Sequence, residues 1–451
     1  MRTSDVDTIV AIATAQGQGA IGIVRLSGPD AVFLADQCFH GRSRLVDATP
    51  RMLIYGTFVS DGQDLDEVLA SVMYGPNSYT GEDTVEFNCH GGPLILRRVV
   101  EAFVLLGARL ALPGEFTKRA FLNGKLDLSQ AQAVADMIEA PSDLSLKSAY
   151  FQLRGGLKDR FNDMAESLRR VAMLLEAGLD FSEDVDIDMV EVKKSLQKTR
   201  VETDRLIDSY QQGKLIREGA LIAIVGKPNV GKSSLMNRLL EEDRAIVADM
   251  PGTTRDTIEE GIDINGIHAT LVDTAGIRET DDPIEREGTR RSRQFIERSD
   301  VVLYIVDGSQ PGRSDDEVLL QSFDLDKGLL VLNKSDMGIH TYWSQPHYEN
   351  ALAISARDGD GIDVLRQSIH EKLVGQNQVS FEVITQERQM LALKQGREGL
   401  VHALESLDLG NPGELIAMDV RIALDALSDI IGETTADDVL DKIFTTFCIG
   451  K

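Results

Sequence analysis

The sequence predicts a multidomain chain in which a doubly wound α/β domain is inserted into a helical domain that follows an α+β N-terminal domain. Strand-like and helical patterns mix over residues 1–118, and helical periodicity dominates residues 119–215 and 376–451. Between these helical stretches, residues 216–375 alternate apolar strand-like runs with helical patterns. The 451 residues, 42% of them apolar, are enough for about three domains, each with its own core.

The N-terminal domain is predicted from short alternating runs separated by glycine-containing turns. Five segments have strand patterns: Thr8–Ala13, Ile21–Leu26, Met52–Val59, Val68–Met73 and Thr84–Asn88. Two segments have helical patterns: Ala31–Phe39 and Leu94–Leu106. This mixture predicts an α+β fold for residues 1–118.

Helical periodicity begins after Pro113 and continues on both sides of the α/β domain. The predicted helices are Ser129–Ile138, Leu144–Met173, Val190–Tyr210, Glu387–Leu404, Glu414–Ile431 and Ala436–Phe447. The acidic run from Asp180 to Asp188 is predicted as a solvated loop, because the spacing and glycine of an EF-hand calcium loop are absent. We expect both helical flanks to form one discontinuous domain, since compact modules are tolerated as insertions when their ends lie close together.

A glycine-rich loop follows the apolar run Leu221–Val225 and has the pattern G-x-x-x-x-G-K-[ST] of a phosphate-binding loop. Backbone N–H groups of such a loop point at phosphate, and the N-terminus of the next helix favours its negative charge. We expect Lys232 to reach the β- and γ-phosphates and Ser233 to ligate Mg²⁺. The predicted contacts in this loop are Asn229, Val230, Gly231, Lys232, Ser233 and Ser234.

Three further motifs, DTAG, NKSD and Ser-Ala-Arg, each follow an apolar run in the order typical of guanine-nucleotide domains. Asp273 can hold the Mg²⁺ shell through water, and Gly276 can offer its N–H to the γ-phosphate. The Asp336 carboxylate can accept two N–H groups of guanine, whereas adenine would leave it unpaired. The predicted contacts are Asp273, Thr274, Ala275, Gly276, Asn333, Lys334, Ser335, Asp336, Ser355, Ala356 and Arg357. This ordered set predicts a P-loop, Ras-like GTPase domain that contains a type I′ hairpin at the Asn-Gly of Ile262–Ala269.

The sequence offers several candidates for the hydrolytic residues, because Ile277 stands where Ras-type enzymes have the glutamine that orients the attacking water. Several carboxylates in the charged segment 278–287 could replace it. Arg255 is a candidate for the arginine that stabilises the transferred phosphoryl group, and the Thr254 hydroxyl suits a second Mg²⁺ ligand. Alternatively, Asn229 and backbone carbonyl oxygens of the loop Ala248–Thr253 could hold a monovalent cation where an arginine would put its charge. Nucleotide contacts are predicted along this loop: Ala248, Asp249, Met250, Pro251, Gly252, Thr253 and Thr254.

Composition limits the possible partners and compartment. The formal net charge of −26 argues against an extended nucleic-acid grip, so any RNA contact should be local or shared with a second protein. The cysteines Cys38, Cys89 and Cys448 are scattered, which favours the reducing cytoplasm over a disulfide framework or a zinc site. The longest apolar runs are shorter than a membrane span requires, and the N-terminus reads as a strand rather than a signal peptide.

The sequence resembles, over its whole length, the MnmE (TrmE) family of tRNA-modifying GTPases. The resemblance rests on GKPNVGKS, PGTTRD, DTAG, the Ile284-Glu285-Arg286 neighbourhood, NKSD and the C-terminal FCIGK. PGTTRD and the phosphate-loop asparagine occur in related GTPases, whereas FCIGK after a helical domain is far more particular. The resemblance implies a cytoplasmic homodimer whose GTPase domains dimerise across their nucleotide faces. It also implies an FAD-dependent partner protein, MnmG, which joins it in a heterotetramer or larger complex that acts on tRNA.

The same resemblance implies the chemistry and the residues that perform it. Such proteins add a (carboxymethyl)aminomethyl group to the 5-position of the wobble uridine, with a 5-formyl or methylene tetrahydrofolate derivative as one-carbon donor. Glu285 matches the residue that orients water, and Cys448 matches a cysteine implicated in the modification, so these join Lys232 and Arg255 as catalytic candidates. The implied ligands are Ser233 and Thr254 for Mg²⁺, Asn229, Ala248, Met250 and Thr253 for K⁺, and Arg25, Glu82, Lys125 and Lys451 for the folate.

Two alternatives stay open at this point. A ribosome-assembly or RNA-chaperone GTPase shares PGTTRD and DTAG, but such proteins usually add a basic RNA-binding domain, and this sequence contains none that is recognisable. A regulatory switch that only binds partners would hydrolyse GTP at equal rates in sodium and potassium.

Overall fold

The computed structural model describes residues 7–180, 188–244, 259–273, 296–312, 327–375 and 379–451. The chain forms two compact units. The first comprises Met1–Ala135, Gln152–Val201 and Ala392–Lys451, and the second comprises Asp136–Phe151 and Glu202–Leu391. Among the helices of the described ranges, none is both long enough and apolar enough to cross a membrane. The boundaries of the three predicted domains remain a prediction.

The first unit contains a seven-stranded mixed sheet. Its strands are β1 (Ile9–Ile12), β2 (Ile21–Ser27), β3 (Phe39–Gly41), β4 (Ile54–Ser60), β5 (Gln63–Met73), β6 (Thr84–His90) and β7 (Arg109–Leu110). They lie in the order β3-β4-β5-β6-β2-β1-β7, and only β1 and β7 pair in parallel. The helices α1 (Ala31–Gln37) and α2 (Pro93–Leu105) pack on this sheet. Phe58 lies edge-on to Phe87 and to Phe103, with ring centroids 5.4 Å apart in both pairs, at the centre of the core.

The remaining helices are α3 (Glu115–Leu122), α4 (Leu128–Glu139), α5 (Asp143–Leu153), α6 (Gly156–Asp180), α7 (Met189–Glu218), α8 (Lys232–Arg244), α9 (Ile362–Val374), α10 (Glu387–Asp408), α11 (Gly413–Ile431) and α12 (Asp437–Thr445). The prediction of one helix over Leu144–Met173 is wrong, because α5 and α6 divide that segment. Gly155 between them has φ +90°, a left-handed conformation that ends a helix and that glycine adopts most readily. The acidic segment 181–187 lies outside the described residues, and Asp188 Oδ1 accepts the N–H groups of Val190 and Glu191 at the start of α7.

The second unit contains the α/β sheet. Its strands are β8 (Ala220–Val225), β9 (Glu259–Ile264), β10 (Ile267–Asp273), β11 (Val301–Asp307), β12 (Gly328–Asn333) and β13 (Leu352–Ala353), in the order β13-β12-β11-β8-β10-β9. All neighbours are parallel except β9 and β10. The predicted hairpin is confirmed, since Asn265 and Gly266 join β9 to β10 with φ +52° and +92°. The predicted α/β fold class is therefore correct, and β8, β10, β11, β12 and β13 all end at one edge, where ligands bind in such sheets.

Candidate functional site

The phosphate-binding loop connects β8 to α8 and depends on two glycines. A Cβ on Gly226 would overlap the carbonyl oxygen of Ile305, and a Cβ on Gly231 would overlap Nδ2 of Asn333. Gly231 also has φ +100°, and Asn229 has φ +66°, which asparagine tolerates better than most residues. The glycines of the motif are therefore required by close packing against β11 and the NKSD loop.

Lys232 lies inside this loop with only 5% of its surface exposed. Its Nζ donates to the carbonyl oxygens of Gly226 and Lys227, both at 2.7 Å. Burial lowers the pKa of Lys232, and Asp273 partly opposes that shift. Ser233 Oγ donates to Asp273 Oδ2 at 3.4 Å. A hydroxyl and a carboxylate thus lie together at the carboxyl edge of the sheet, which fits a Mg²⁺ ion and its water shell.

The predicted guanine loop consists of the NKSD segment Asn333–Asp336 together with Ser355–Arg357. Asn333 connects its two parts to the phosphate-binding loop. Its side chain is 2% exposed, and Nδ2 donates to the carbonyl oxygen of Val230 at 2.8 Å. Its Oδ1 accepts the N–H of Ala356 at 3.0 Å. The NKSD motif predicts a guanine contact, but this bracing role was not predicted, because it depends on residues far apart in the sequence.

Two side-chain contacts hold the rest of the predicted guanine loop. Asp336 Oδ1 accepts the hydroxyl of Ser355 at 3.0 Å. Lys334 Nζ pairs with Asp307 Oδ2 at 2.7 Å, and although burial raises the pKa of Asp307, hydrogen bonds from Lys334 and Ser309 outweigh it and lower the pKa.

A further cation joins this loop to α8. Arg238 Nε donates to the carbonyl oxygen of Ala356 at 3.3 Å, and its Nη2 donates to that of Arg357. Asp307 and Arg238 were not predicted as part of the site, since neither belongs to a nucleotide motif.

Several predicted residues lie outside the part of the chain that the structure describes. They are Ala248, Asp249, Met250, Pro251, Gly252, Thr253, Thr254, Arg255, Thr274, Ala275, Gly276 and Glu285. Of the predicted K⁺ ligands only Asn229 is described, and of the two predicted Mg²⁺ ligands only Ser233 is.

The first unit contains the residues predicted to bind folate. Arg25 on β2 pairs with Glu86 on β6, Nε to Oε1 at 2.7 Å, and its Nη1 donates to the carbonyl oxygen of Gly450 at 3.4 Å. Its guanidinium carbon lies 5.4 Å from the ring centroid of Tyr79 and 5.6 Å from that of Phe116. Arg25 therefore joins two sheet strands, two aromatic rings and the C-terminal tail.

Glu82 and Lys125 lie beside the loop that precedes β6. Glu82 Oε2 accepts the hydroxyl of Ser27 at 2.8 Å, and Ser27 is two residues beyond Arg25 and so on the same face of β2. Lys125 Nζ donates to the carbonyl oxygen of Pro76 at 2.8 Å, and its Cγ would lie 3.4 Å from a Cβ on Gly81. The structure thus brings predicted folate residues from distant parts of the sequence into one region.

A cluster of charges around the buried Arg119 supports this region. Arg119 is 6% exposed, and it donates to Asp7 Oδ1 at 2.7 Å and to Glu82 Oε2 and Glu115 Oε1 at 3.1 Å. Arg109 pairs with the same Asp7 and Glu115 carboxylates. Burial raises the pKa of both carboxyls, but the arginines outweigh it, so both pKa values are lowered.

The C-terminal tail is held by backbone contacts. Phe116 N–H donates to the Lys451 carbonyl oxygen at 3.2 Å, and Gly114 N–H donates to that of Cys448 at 3.4 Å. Gly450 has φ +95°, and a Cβ there would overlap the carbonyl oxygen of Ile12. The thiol of Cys448 is exposed.

The other two cysteines belong to the core of the first unit. Cys38 and Cys89 are buried, and burial raises their thiol pKa values to about 11 and about 12. Both are therefore protonated thiols at neutral pH and serve packing.

Comparison with known proteins identifies relatives over the whole chain. A family model described as "GTP-binding protein TrmE N-terminus" matches residues 8–125, and one described as "MnmE helical domain" matches residues 128–448. A protein named tRNA modification GTPase MnmE from Carboxydothermus hydrogenoformans is 42% identical, covering 99% of both chains. The protein of that name from Syntrophotalea carbinolica is 44% identical with the same coverage. A crystal structure of an Aquifex aeolicus Era variant bound to GDP·AlF4⁻ is 29% identical, covers 40% of this chain and 66% of that one, and has a TM-score of 0.29.

Proposed function

Because the chain belongs to the MnmE family of tRNA modification GTPases, we propose that it is the GTP-hydrolysing subunit of a tRNA-modifying complex. The proposed reaction adds a (carboxymethyl)aminomethyl group to the 5-position of the wobble uridine. We propose a cytoplasmic homodimer that works with an FAD-dependent MnmG partner. The observation that carries the proposal is the match to tRNA modification GTPases over 99% of both chains.

The arrangement at the carboxyl edge of the α/β sheet supports GTP as substrate. Lys232 Nζ donates to two loop carbonyls, and its N–H groups can turn to the β- and γ-phosphates when a nucleotide binds. We propose that Ser233 ligates Mg²⁺, that Asp273 holds it through water and that Thr254 is the second protein ligand; the hydrogen bond from Ser233 to Asp273 supports the first two roles. Mg²⁺ neutralises charge on the phosphate oxygens. Asp336 would accept the two N–H groups of guanine.

We propose that Glu285 orients the attacking water. In Ras-type enzymes this role belongs to a glutamine at the position where this chain has Ile277. Potassium held by Asn229 and the carbonyls of Ala248, Met250 and Thr253 would supply the charge that an arginine supplies elsewhere. GTP hydrolysis should therefore be faster in KCl than in NaCl, and Asn229→Ala should abolish the difference. Equal rates in both salts for the parent chain would contradict this mechanism and favour a regulatory switch.

The role of Glu285 has a matched control in the same charged segment, 278–287. Glu285→Ala should keep GTP affinity and lose turnover by about 10²–10⁴-fold, the usual contribution of a group that positions or activates a reactant by proton transfer. Glu287→Ala changes the charge equally and should hydrolyse GTP at nearly the parent rate. Normal turnover in Glu285→Ala would assign the water to another residue.

We also propose that Arg25, Glu82, Lys125 and Lys451 hold a 5-formyl or methylene tetrahydrofolate. Folate supplies the one-carbon unit, and its glutamate carboxylates suit Arg25 and the lysines. The approach of Arg25 to the tail at Gly450 supports this grouping. Arg25→Gln should weaken folate binding while GTP hydrolysis is retained, and unchanged folate affinity would contradict the assignment. Cys448, exposed on the same tail, is proposed to act in the modification itself.

The tRNA function is tested by nucleoside analysis of tRNA from cells that lack the gene. The wobble modification should be absent, restored by the parent chain, and not restored by Asp336→Ala. An unchanged wobble uridine in the deletion strain would refute the proposal and favour a ribosome-assembly GTPase.

A further inference from the structure

A cavity of about 560 Å³ lies at the amino-terminal edge of the α/β sheet. Its wall includes Leu221 at the start of β8 and Thr270, which pairs with Leu221 in the sheet register. The phosphate-binding loop leaves β8 at its other end, after Val225. This cavity is therefore separate from the phosphate-binding loop.

Four basic side chains line this cavity, which we name the basic cleft: Lys214, Arg298, Lys327 and Lys372. All four are exposed. Two carboxylates also line it, and both have partners within the protein. Asp300 Oδ2 accepts the N–H of Leu221 at 2.9 Å. Glu218 pairs through Oε2 with Lys214 Nζ at 3.9 Å and through Oε1 with Arg217 Nη1 at 3.4 Å.

Two of the cations differ from the others in their surroundings. Among the residues that the structure describes, neither Arg298 nor Lys327 has a carboxylate within ion-pair distance. This is unusual in a chain with a formal net charge of −26, where acidic side chains are abundant. The basic cleft therefore offers positive charge to an anion.

We propose that the basic cleft binds backbone phosphates of the tRNA, an inference that rests on the proposed function. Exposed Lys and Arg side chains are the usual contacts to phosphodiester oxygens. The described residues that line the cleft include no aromatic ring on which a free nucleotide base could stack, which favours a backbone segment over a mononucleotide. A local contact of this kind also suits a chain that is acidic overall.

The test measures the binding of purified tRNA to the full-length chain by fluorescence anisotropy over a range of KCl concentrations. The cleft variant is the double substitution Arg298→Glu with Lys327→Glu. The control is Lys147→Glu with Lys394→Glu, which changes net charge equally at exposed helix positions outside the cleft. Thermal unfolding and GTP hydrolysis without tRNA should match the parent in both.

The cleft variant should bind tRNA more weakly, and its log–log salt slope should be smaller by about two, one for each lost phosphate contact. The control should keep the parent slope. Equal effects of both variants, or no measurable binding by the parent chain, would overturn the proposal. Binding of inorganic pyrophosphate that is lost in the cleft variant, while tRNA binding is unchanged, would overturn it in favour of a small anion. A cleft-dependent tRNA affinity in a chain whose deletion leaves the wobble uridine unchanged would keep this inference and refute the proposed modification.

Discussion

Replacing Asn333 with alanine tests whether the phosphate-binding loop and the guanine loop act as one rigid site. The Asn333 amide donates to the carbonyl oxygen of Val230 at 2.8 Å and accepts the N–H of Ala356 at 3.0 Å. Alanine leaves both of these buried groups without a partner, and each unpaired group costs about 1–3 kcal/mol. Two such groups would cost about 2–6 kcal/mol together, and because the loops can relax slightly we expect a total of about 2–4 kcal/mol.

Most of this cost should appear as lost affinity for the nucleotide. In the free protein the loosened loops can turn toward water, whereas a bound triphosphate requires the loop geometry that Asn333 holds. Because about 1.4 kcal/mol corresponds to a tenfold change, GTP should bind roughly 30- to 800-fold more weakly to Asn333→Ala. Circular dichroism should show an unchanged helix content.

Calorimetric titration with GTP and with inorganic triphosphate separates bracing from base recognition. Asn333→Ala should weaken both ligands, because the phosphate-binding loop itself is loosened. Asp336→Ala is the control, since its carboxylate accepts the hydroxyl of Ser355 and is proposed to bind the guanine rather than a phosphate, so its loss should weaken only GTP. Unchanged triphosphate affinity in Asn333→Ala would refute the bracing role and leave a base contact alone.

Three further predictions concern the first unit. Arg119→Met leaves partly buried carboxylates undercompensated and should destabilise this unit by about 1.5–3 kcal/mol, measured by hydrogen exchange. Lys118→Met breaks the exposed pair from the same helix to Asp441 and should cost below about 1 kcal/mol. The lowered pKa values of Asp7 and Glu115 add stability above about pH 4, which is lost as the pH falls through their folded-state values. The unfolding temperature should therefore fall below about pH 4, and a flat profile would contradict the ion cluster. Gly450→Ala places a Cβ against a backbone oxygen and should speed hydrogen exchange in the C-terminal tail, so parent-like exchange would show that the tail is held otherwise.

The fold class was predictable because the long elements have strong periodicity, and the Asn-Gly hairpin because both residues tolerate positive φ. The strands β3 and β7 were missed, since two or three residues carry no periodicity and depend on their neighbours in the sheet. β5 begins at Gln63 rather than at the predicted Val68, because four of its first five residues are polar or acidic and do not show the apolar alternation of a strand. The break at Gly155 was missed because the apolar spacing continues across it.

The chemistry of the site was predictable where it follows from a motif, but its supports were not. Lys232 and Ser233 are placed by a local loop, so spacing alone indicates their positions. Asn333 reaches a residue 103 positions away, and Arg119 reaches Asp7 across 112 positions. Such contacts arise only when separate elements pack, and no local pattern in a single sequence predicts them.

One carboxylate joins the segments through which the chain enters and leaves the α/β sheet. Arg217, at the end of α7, donates through Nε to Asp136 Oδ1 at 2.8 Å, and Gln386, just before α10, donates to Asp136 Oδ2 at 3.0 Å. Burial disfavours the charge on Arg217, but Asp136 outweighs it and raises the pKa of the guanidinium. Arg217 lies three residues before β8, so any shift of β8 must either carry Asp136 and Gln386 with it or break hydrogen bonds to a carboxylate that is 7% exposed. Because breaking a buried ion pair is costly, concerted movement of these elements is the cheaper response.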